Sequence, residues 1–392
     1  MPKRLIEEAL AGIPADPAKD DSADPPPVDS GESEIESIAR GIDICIKVIG
    51  CGGAGSNTVD RCTESGVSGV DLCAINTDAK HLLSIKAQKK LLIGKMITRG
   101  LGAGAKPEVG EKAALENIED IRECVKGAQI VFVTAGMGGG TGTSSSLVVS
   151  KLAKEIRALT IGVVTLPFKS EGELRMRNAM AGLGAVAKVC DTTIVVPNDT
   201  LLELVPRLPV QAAFKVADEL LVQTIAGMTE MLSSAGLVNV DYADLKTILI
   251  EGGVSLIGVG ESSLRGEGRI EQAVEEALNS PLLGRMDLRN ARGALVRVVG
   301  GPDMTIEEAA KAAELVSGRI RERGRLIWGC SVEKSLEGRV RVLIIVTGAQ
   351  SKYVLMRDGE DPVMSPTCED YRGVLNIPSG DDGDDDSSMF VR

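Results

Sequence analysis

"AGMGGGTGTSSS", residues 135–146, follows directly on the apolar run "IVFVT" at 130–134. Gly136, Gly138, Gly139, Gly140 and Gly142 carry no side chain that can do chemistry, so the stretch offers bare backbone. The β-branched run ahead of it reads as a buried strand, and "SSSLVVSKLAKEIRAL" behind it reads as a helix. In an open parallel sheet, ligands bind at the carboxyl ends of the strands. Glycine there lets backbone N–H groups approach an anion, and the helix start behind adds a favourable partial charge. The stretch therefore reads as a phosphate cradle, with the Thr141 and Thr143 hydroxyls as further donors. A plain connector would need no such run of glycine.

A second cluster, "GCGGAGSN" (50–57), carries a G-x-G-x-x-G spacing at Gly50, Gly52 and Gly55. "ICIKVIG" (44–50) precedes it as a strand, and a helix follows. Alone it would suggest a dinucleotide fold, with Asp78 near the place of a ribose-binding acid. A dinucleotide fold uses one such loop, whereas here a second follows, and a third Gly-rich turn, "RGLGAGAKPE" (99–108), ends another segment. Several strand ends converging on phosphates fit a nucleoside triphosphate better. No G-x-x-x-x-G-K-[ST] loop is present.

Outward from these loops, strand and helix alternate: "VDLCAINT" (70–77), a helix over "PEVGEKAALENIEDIRECV" opened by Pro107, then "TIGVVTLP", the helix "EGELRMRNAMAGLGAVAKV" and "TTIVVP" (192–197). That alternation predicts an α/β fold with a Rossmann-like parallel sheet covered on both faces. A helical pattern from Pro209 to about Ala235, roughly 40 Å long, is the expected spine between two domains. Beyond it, "GVSLIGVGE", "GALVRVVG", "RLIWGCSV" and "RVRVLIIVTG" mix with helices near 270–279 and 305–321 in a second, smaller α+β domain. The expected organisation is an extension at 1–40 too rich in Pro, Asp and Ser to bury a core, a nucleotide-binding domain with its central helix at 41–235, the α+β domain at 236–348, and an acidic tail at 349–392.

Composition narrows the function. With 392 residues the chain is long enough for two cores, and its net charge of −12 argues against a nucleic-acid partner. No apolar stretch reaches the length of a membrane span, and the N-terminus has no secretory pattern. The eight cysteines form no C-x-x-C pair and read as small buried hydrophobes of a reduced, cytosolic protein. His81, the single histidine, makes a histidine metal site or a Ser-His-Asp triad improbable and reads as a surface helix residue.

Taken together, "VTAGMGGGTGT", "INTDAKHLLS" (75–84), "RGLGAGAKPEVG" (99–110), "PFKSEGELRMRNA" (167–179), "VVPNDTLLE" (195–203), "AFKVADELL" (213–221) and "NVDYADLKTI" (239–248) resemble the tubulin/FtsZ GTPase family, in order, over about residues 42–348. The long N-terminal extension and the lack of a clear bacterial-type C-terminal peptide look more like its archaeal members. The resemblance implies GTP hydrolysis, GTP/GDP as bound nucleotide, Mg²⁺ on the phosphates, and head-to-tail self-assembly into cytoplasmic filaments at a division ring. It also implies a membrane-anchoring partner reached through the C-terminal tail. Carried over by position, Gly52, Gly53, Ala54, Gly55, Ser56 and Asn57, with Gly138, Gly139, Gly140, Thr141, Gly142 and Thr143, would hold the phosphates. Glu171 and Arg175 would contact ribose and phosphate, Asn76 would face the nucleoside, and Asn198, Phe214 and Asp218 would surround guanine. No dedicated metal ligand is named. Ser144, Ala54 and Ser56 depart from the family's glycines, which leaves the hydrolysis rate open more than binding.

Plainer readings stand beside these. On the residues alone, Phe214 is more often core, and Glu171 with Arg175 at i, i+4 is more often a surface ion pair. Asp241 and Asp244, three apart at a helix start, are more often ordinary capping residues. The resemblance reverses that last reading: it implies that this acidic loop enters the GTP site of the next subunit and polarises the attacking water. Two rival functions remain at this point. A nicotinamide-dependent oxidoreductase would need a hydride-transfer site in the second domain, and none is found. A nucleotide-binding scaffold without turnover is disfavoured by the intact Asp241 and Asp244.

Overall fold

The computed structural model describes residues 44–204, 210–232, 240–250, 252–264, 266, 268–284, 288–320 and 324–348. The expected N-terminal extension, the acidic tail and both ends of the predicted spine helix lie outside them.

Chain order opens with β1 (Ile46–Cys51), α1 (Gly52–Glu64), β2 (Val70–Asn76), α2 (Ala79–Ser84), β3 (Lys89–Leu92), α3 (Lys95–Thr98), α4 (Pro107–Glu116) and α5 (Ile118–Val125). It continues with β4 (Ile130–Gly136), α6 (Thr141–Glu155), β5 (Leu159–Leu166), α7 (Glu173–Val189), β6 (Thr192–Pro197), α8 (Asn198–Leu204) and the long α9 (Val210–Leu232). After α9 come α10 (Tyr242–Leu249), β7 (Gly253–Ser262), α11 (Arg269–Leu278), β8 (Gly293–Gly300), α12 (Ile306–Ser317), β9 (Arg325–Val332) and β10 (Val340–Thr347).

The strands form one ten-stranded sheet in the order β3-β2-β1-β4-β5-β6-β7-β10-β8-β9. From β3 to β7 every pairing is parallel, and β10 runs antiparallel to both β7 and β8. The parallel α/β half and the α+β half meet where β6 pairs β7 over Thr192–Ile194. Strand residues alternate between two cores. Val131, Val133 and Ala135 of β4 face the layer of α4, α5 and α6, while Ile130 and Phe132 face the layer that holds Leu221, Ile225 and Met228 of α9. With so few aromatics, Phe132 is the one aromatic among the largest fully buried side chains, and the cores are otherwise aliphatic. The described cysteines other than the half-buried Cys45 are buried, as small hydrophobes should be.

Two local readings are corrected. The helix expected over 107–125 is two helices, broken at Asn117. Its Oδ1 accepts the Gly94 N–H at 2.9 Å, and its Nδ2 donates to Asp120 Oδ2 at 2.8 Å, so the side chain serves neighbours and its backbone leaves helical geometry. The helix expected after the glycine run begins inside it, at Thr141. No helix among the described residues is long and apolar enough to cross a membrane.

The sheet order places the site. The chain steps from β1 outward to β2 and β3, then returns to place β4 on the other side of β1. That reversal opens a crevice at the carboxyl ends of β1 and β4, where Gly50 lies beside Thr134 and Cys51 beside Ala135. Both Gly-rich loops leave the sheet there, side by side.

Candidate functional site

A cleft of about 440 Å³ occupies that crevice. Its floor is the start of two helices. Gly53 and Ala54 of α1 face Gly139, Gly140, Thr141 and Gly142 at the entry of α6. Neither helix start is capped by a side chain: Cys51 and Gly140 stand at the cap positions without a side-chain hydrogen bond. First-turn N–H groups have no partner within their own helix, so both N-termini turn their partial positive charge on the cleft. Gly52 and Gly55 lie behind this floor and make it possible. Gly52 has φ +69°, and a Cβ there would stand 2.6 Å from Gly142 N; a Cβ on Gly55 would stand 2.3 Å from Thr134 O. Only bare backbone lets the two helices start this close together.

The rest of the predicted loop residues support the floor from behind. Thr143 Oγ1 accepts the Gly138 N–H at 2.9 Å and so pins the glycine run. Thr141 Oγ1 lies 2.7 Å from Thr77 Oγ1, which ties the run to the end of β2. Ser144 donates to Gly140 O at 2.8 Å, turning its hydroxyl into the loop and away from the cleft. Ser56 is buried with its hydroxyl unpartnered.

One side wall comes from β2 and α2. Asn76 Oδ1 accepts the Thr77 and Asp78 N–H groups at 2.8 and 3.3 Å, which leaves its Nδ2 to face His81 Nδ1 at 3.2 Å. His81 Nδ1 is then the acceptor, and its Nε2–H donates to Asn57 Oδ1 at 2.9 Å. His81 is thus more than a surface helix residue: half-buried, it lines the cleft and links α1 to β2. Its sequence signal was Asp78 three residues earlier, whose carboxylate accepts the His81 N–H at 3.0 Å and starts α2.

The opposite wall carries Glu171 and Arg175, which line the cleft and pair with each other at 2.7 Å. The plain reading as an i, i+4 ion pair is what the structure shows, and the pair is placed on the cleft wall. At the far end stand Asn198, Phe214 and Asp218. Phe214 is no core residue: 43% exposed, it meets Phe168 edge to face with ring centroids 5.2 Å apart, leaving a ring face open. Asn198 is buried, and its Oδ1 has no hydrogen-bond partner. A buried acceptor without a partner at a cleft wall is satisfied when a ligand brings a donor to it. Burial pushes the Asp218 carboxyl up to about 6, against the pull of the Arg61 guanidinium, whose Nε lies 3.4 Å away.

The structure does not bring Asp241 and Asp244 to this cleft. They sit exposed at the start of α10, where Tyr242 donates to Gln129 O at 3.3 Å, immediately before β4. That is the amino end of the parallel strands, and the cleft is at their carboxyl end. β4 alone separates the two edges by roughly 20 Å. Asp241 occupies the cap position of α10 without a side-chain capping bond, so the capping reading finds no support.

The fold, two uncapped helix starts and an unpartnered buried acceptor in the cleft point one way, and comparison with known proteins agrees. The profile of the tubulin/FtsZ family GTPase domain matches residues 45–206, and that of the FtsZ family C-terminal domain matches residues 253–350. The chain belongs to the FtsZ family of tubulin-like GTPases. It is a GTP hydrolase that binds guanine nucleotide. Cell division protein FtsZ 1 of Archaeoglobus fulgidus is 48% identical over 357 residues, covering 91% of this chain and 96% of that protein. Cell division protein FtsZ of Haloferax mediterranei is 50% identical over 329 residues, covering 84% and 86%. Among solved structures, an empty FtsZ dimer of M. jannaschii superposes with TM-score 0.77 at 46% identity, covering 82% of this chain and 93% of that one. A GTPγS-bound protofilament of CetZ2 from Haloferax volcanii, at 23% identity and TM-score 0.68, shares the fold. In this FtsZ-family chain His81 and Thr77 also line the cleft, and Arg61 stands behind it against Asp218, although no local pattern in the sequence marks these three for the site.

Proposed function

We propose that the chain is a cell-division GTPase that assembles head to tail with copies of itself and hydrolyses GTP at the junction between subunits. One observation carries this: the exposed acidic pair Asp241 and Asp244 lies at the opposite edge of the sheet from the nucleotide cleft. Within one subunit the acids cannot reach a bound phosphate. Stacking subunits so that the α10 edge of one meets the cleft of the next brings them there, and such a heterologous contact propagates as a filament. The names of the archaeal relatives as cell division proteins, and the dimeric and protofilament forms of the structural neighbours, support the same reading.

In this reading the N–H groups of Gly53, Ala54 and Gly139 to Gly142 receive the phosphates. Glu171 and Arg175 hold ribose and phosphate, and Phe214 offers its open ring face to the base. Asn198 and Asp218 accept hydrogen bonds from guanine N2 and N1. Asp241 and Asp244 of the next subunit orient and deprotonate the attacking water, the kind of positioned group that contributes roughly 10²- to 10⁴-fold in rate. Among the described residues no group of three or more His, Cys, Asp or Glu could cage a metal. Mg²⁺ arriving with the phosphates would neutralise their charge there. The tail beyond residue 348 would tether a membrane-anchoring partner and bring the filament to the division site.

The test is the concentration dependence of phosphate release, followed together with light scattering. Turnover per subunit rises steeply with protein concentration, in step with scattering, and GTP supports both where ATP and NAD do not. Turnover per subunit that is constant down to fully dispersed protein would sink the split-site reading.

A further inference from the structure

Arg61 has no place in the reading above. It sits in the last turn of α1, whose first turn forms part of the cleft floor. Its Nε lies 3.4 Å from Asp218 Oδ2 across the contact between α1 and α9, with both side chains largely buried, 25% and 16% exposed. We infer that Arg61 is a specificity-determining positioning residue, which holds the Asp218 side chain ionised and oriented so that both of its oxygens accept hydrogen bonds from the base. The inference rests on Asp218 as the base reader.

The chemistry turns on one proton. An ionised carboxylate only accepts, whereas a protonated carboxyl donates from one oxygen and accepts at the other. Guanine presents two donors on its pairing edge, N1–H and the N2 amine, which match the ionised form. Adenine presents one acceptor, N1, and one donor, the N6 amine, which match the neutral form. The protonation state of Asp218 therefore selects between the two bases. Burial favours the neutral form and lifts Asp218 to about 6; Arg61 is the charge that opposes it. The other charged groups nearby are engaged elsewhere. Glu64 on α1 pairs with Lys86, and Glu171 pairs with Arg175. On α9, Glu219 accepts from Gln223 Nε2 at 3.2 Å, and Lys215 is exposed. Asp78 lines the wall near His81, whose N–H its carboxylate accepts.

The experiment measures affinity of the full-length protein, dilute and unassembled, for fluorescent GTP and ATP analogues between about pH 5 and pH 8. The ratio of the two affinities cancels the titration of the triphosphate, which both share. Wild-type protein prefers GTP roughly ten- to hundredfold at the upper end, and the preference fades as pH falls through about 6. In Arg61→Met the preference at neutral pH drops roughly tenfold, and the pH at which it returns moves upward. Arg61→Lys, which keeps the charge, restores most of it. Thermal melts check folding, and Arg61→Gln, which keeps a donor without charge, gives the answer if the Met variant does not fold. Folded Met or Gln variants with wild-type preference and an unmoved pH midpoint overturn the inference. If instead Asp218→Asn leaves the wild-type preference untouched, Asp218 does not read the base and the underlying assignment fails, whatever the Arg61 variants do.

Discussion

Gly52 and Gly142 meet backbone to backbone: a Cβ on Gly52 would stand 2.6 Å from the Gly142 nitrogen, at a φ of +69°. The two helix starts that floor the cleft are thus fused through one glycine contact. Gly52→Ala must pay twice, with left-handed strain of about 1–2 kcal/mol and a displaced Gly142, so it should lower the melting temperature and lose nucleotide together. Gly139→Ala is the contrast. A Cβ there meets nothing in the protein, so the melt should be unchanged while nucleotide affinity falls. Melts of nucleotide-free protein and GTP titrations separate the two. Full GTP affinity in Gly139→Ala would remove the glycine run from the phosphate site.

The parallel half of the fold was legible because its strands are continuous β-branched runs ending in glycine. "IVFVT" and "TTIVVP" became β4 and β6 nearly residue for residue. β3, only Lys89–Leu92 and with both lysines exposed, carries no such run and was missed. The break at Asn117 was invisible because its partner Gly94 is far away in sequence. The same holds within the site. Glycine loops announce themselves locally, but Arg61 acts through a residue on a different helix, and nothing around position 61 signals it. Asp241 and Asp244 were visible as an acidic pair; only the sheet topology puts them on the far edge.

Asp218 should cost the nucleotide-free protein stability at neutral pH. Its folded pKa, about 6, lies above the unfolded carboxyl value near 4. A raised acid contributes stability that is fully present below the unfolded value and lost as pH rises through the folded one. Asp218→Asn does not titrate. Relative to it, wild-type protein should lose on the order of 1–3 kcal/mol between about pH 4 and pH 7, read from urea unfolding of both proteins across that range. The Asn amide offers one donor and one acceptor, so the same variant should gain affinity for xanthosine triphosphate, whose base presents a carbonyl beside N1–H. A gap that does not change with pH would show that Asp218 is not held in a desolvated site.

Arg269 anchors the α+β half. It is 5% exposed and donates to Asp303 and, at 2.6 and 2.7 Å, to both oxygens of Glu308. Removing one partner of a buried pair typically costs 3–5 kcal/mol; because both acids keep some solvent contact, Arg269→Met should cost about 2–3 kcal/mol, measured by urea unfolding. The Gly338 N–H and Arg269 hold Asp303 down at about 2, and Arg269 holds Glu308 below the usual carboxylate range. Depressed acids contribute stability above their unfolded value, lost as pH falls through the folded one. The variant should therefore lose less stability than wild type on acidification from about pH 5 to pH 2. Parallel acid curves for the two proteins would assign the cost to packing alone.

Asp244→Ala should bind GTP as wild type does and turn it over roughly 10²- to 10⁴-fold more slowly. The floor and walls of the cleft lie at one edge of the sheet and Asp244 at the other, so the substitution removes nothing from the subunit's own nucleotide site. Filaments should form and persist, since the step that weakens the junction is blocked. The decisive measurement mixes two inactive proteins. Asp244→Ala subunits keep an intact cleft, and Gly139→Asp subunits, with a negative charge in a cradle that has room for a side chain, keep an intact Asp244. Each alone should release almost no phosphate. In an equal mixture, junctions that place a Gly139→Asp acid edge against an Asp244→Ala cleft join the two working halves. Random head-to-tail assembly makes roughly a quarter of the junctions of this kind, and turnover should return to about that fraction of wild type. A mixture as silent as its components, with light scattering proving that both subunits enter the same filaments, would mean that Asp244 does not act across the junction.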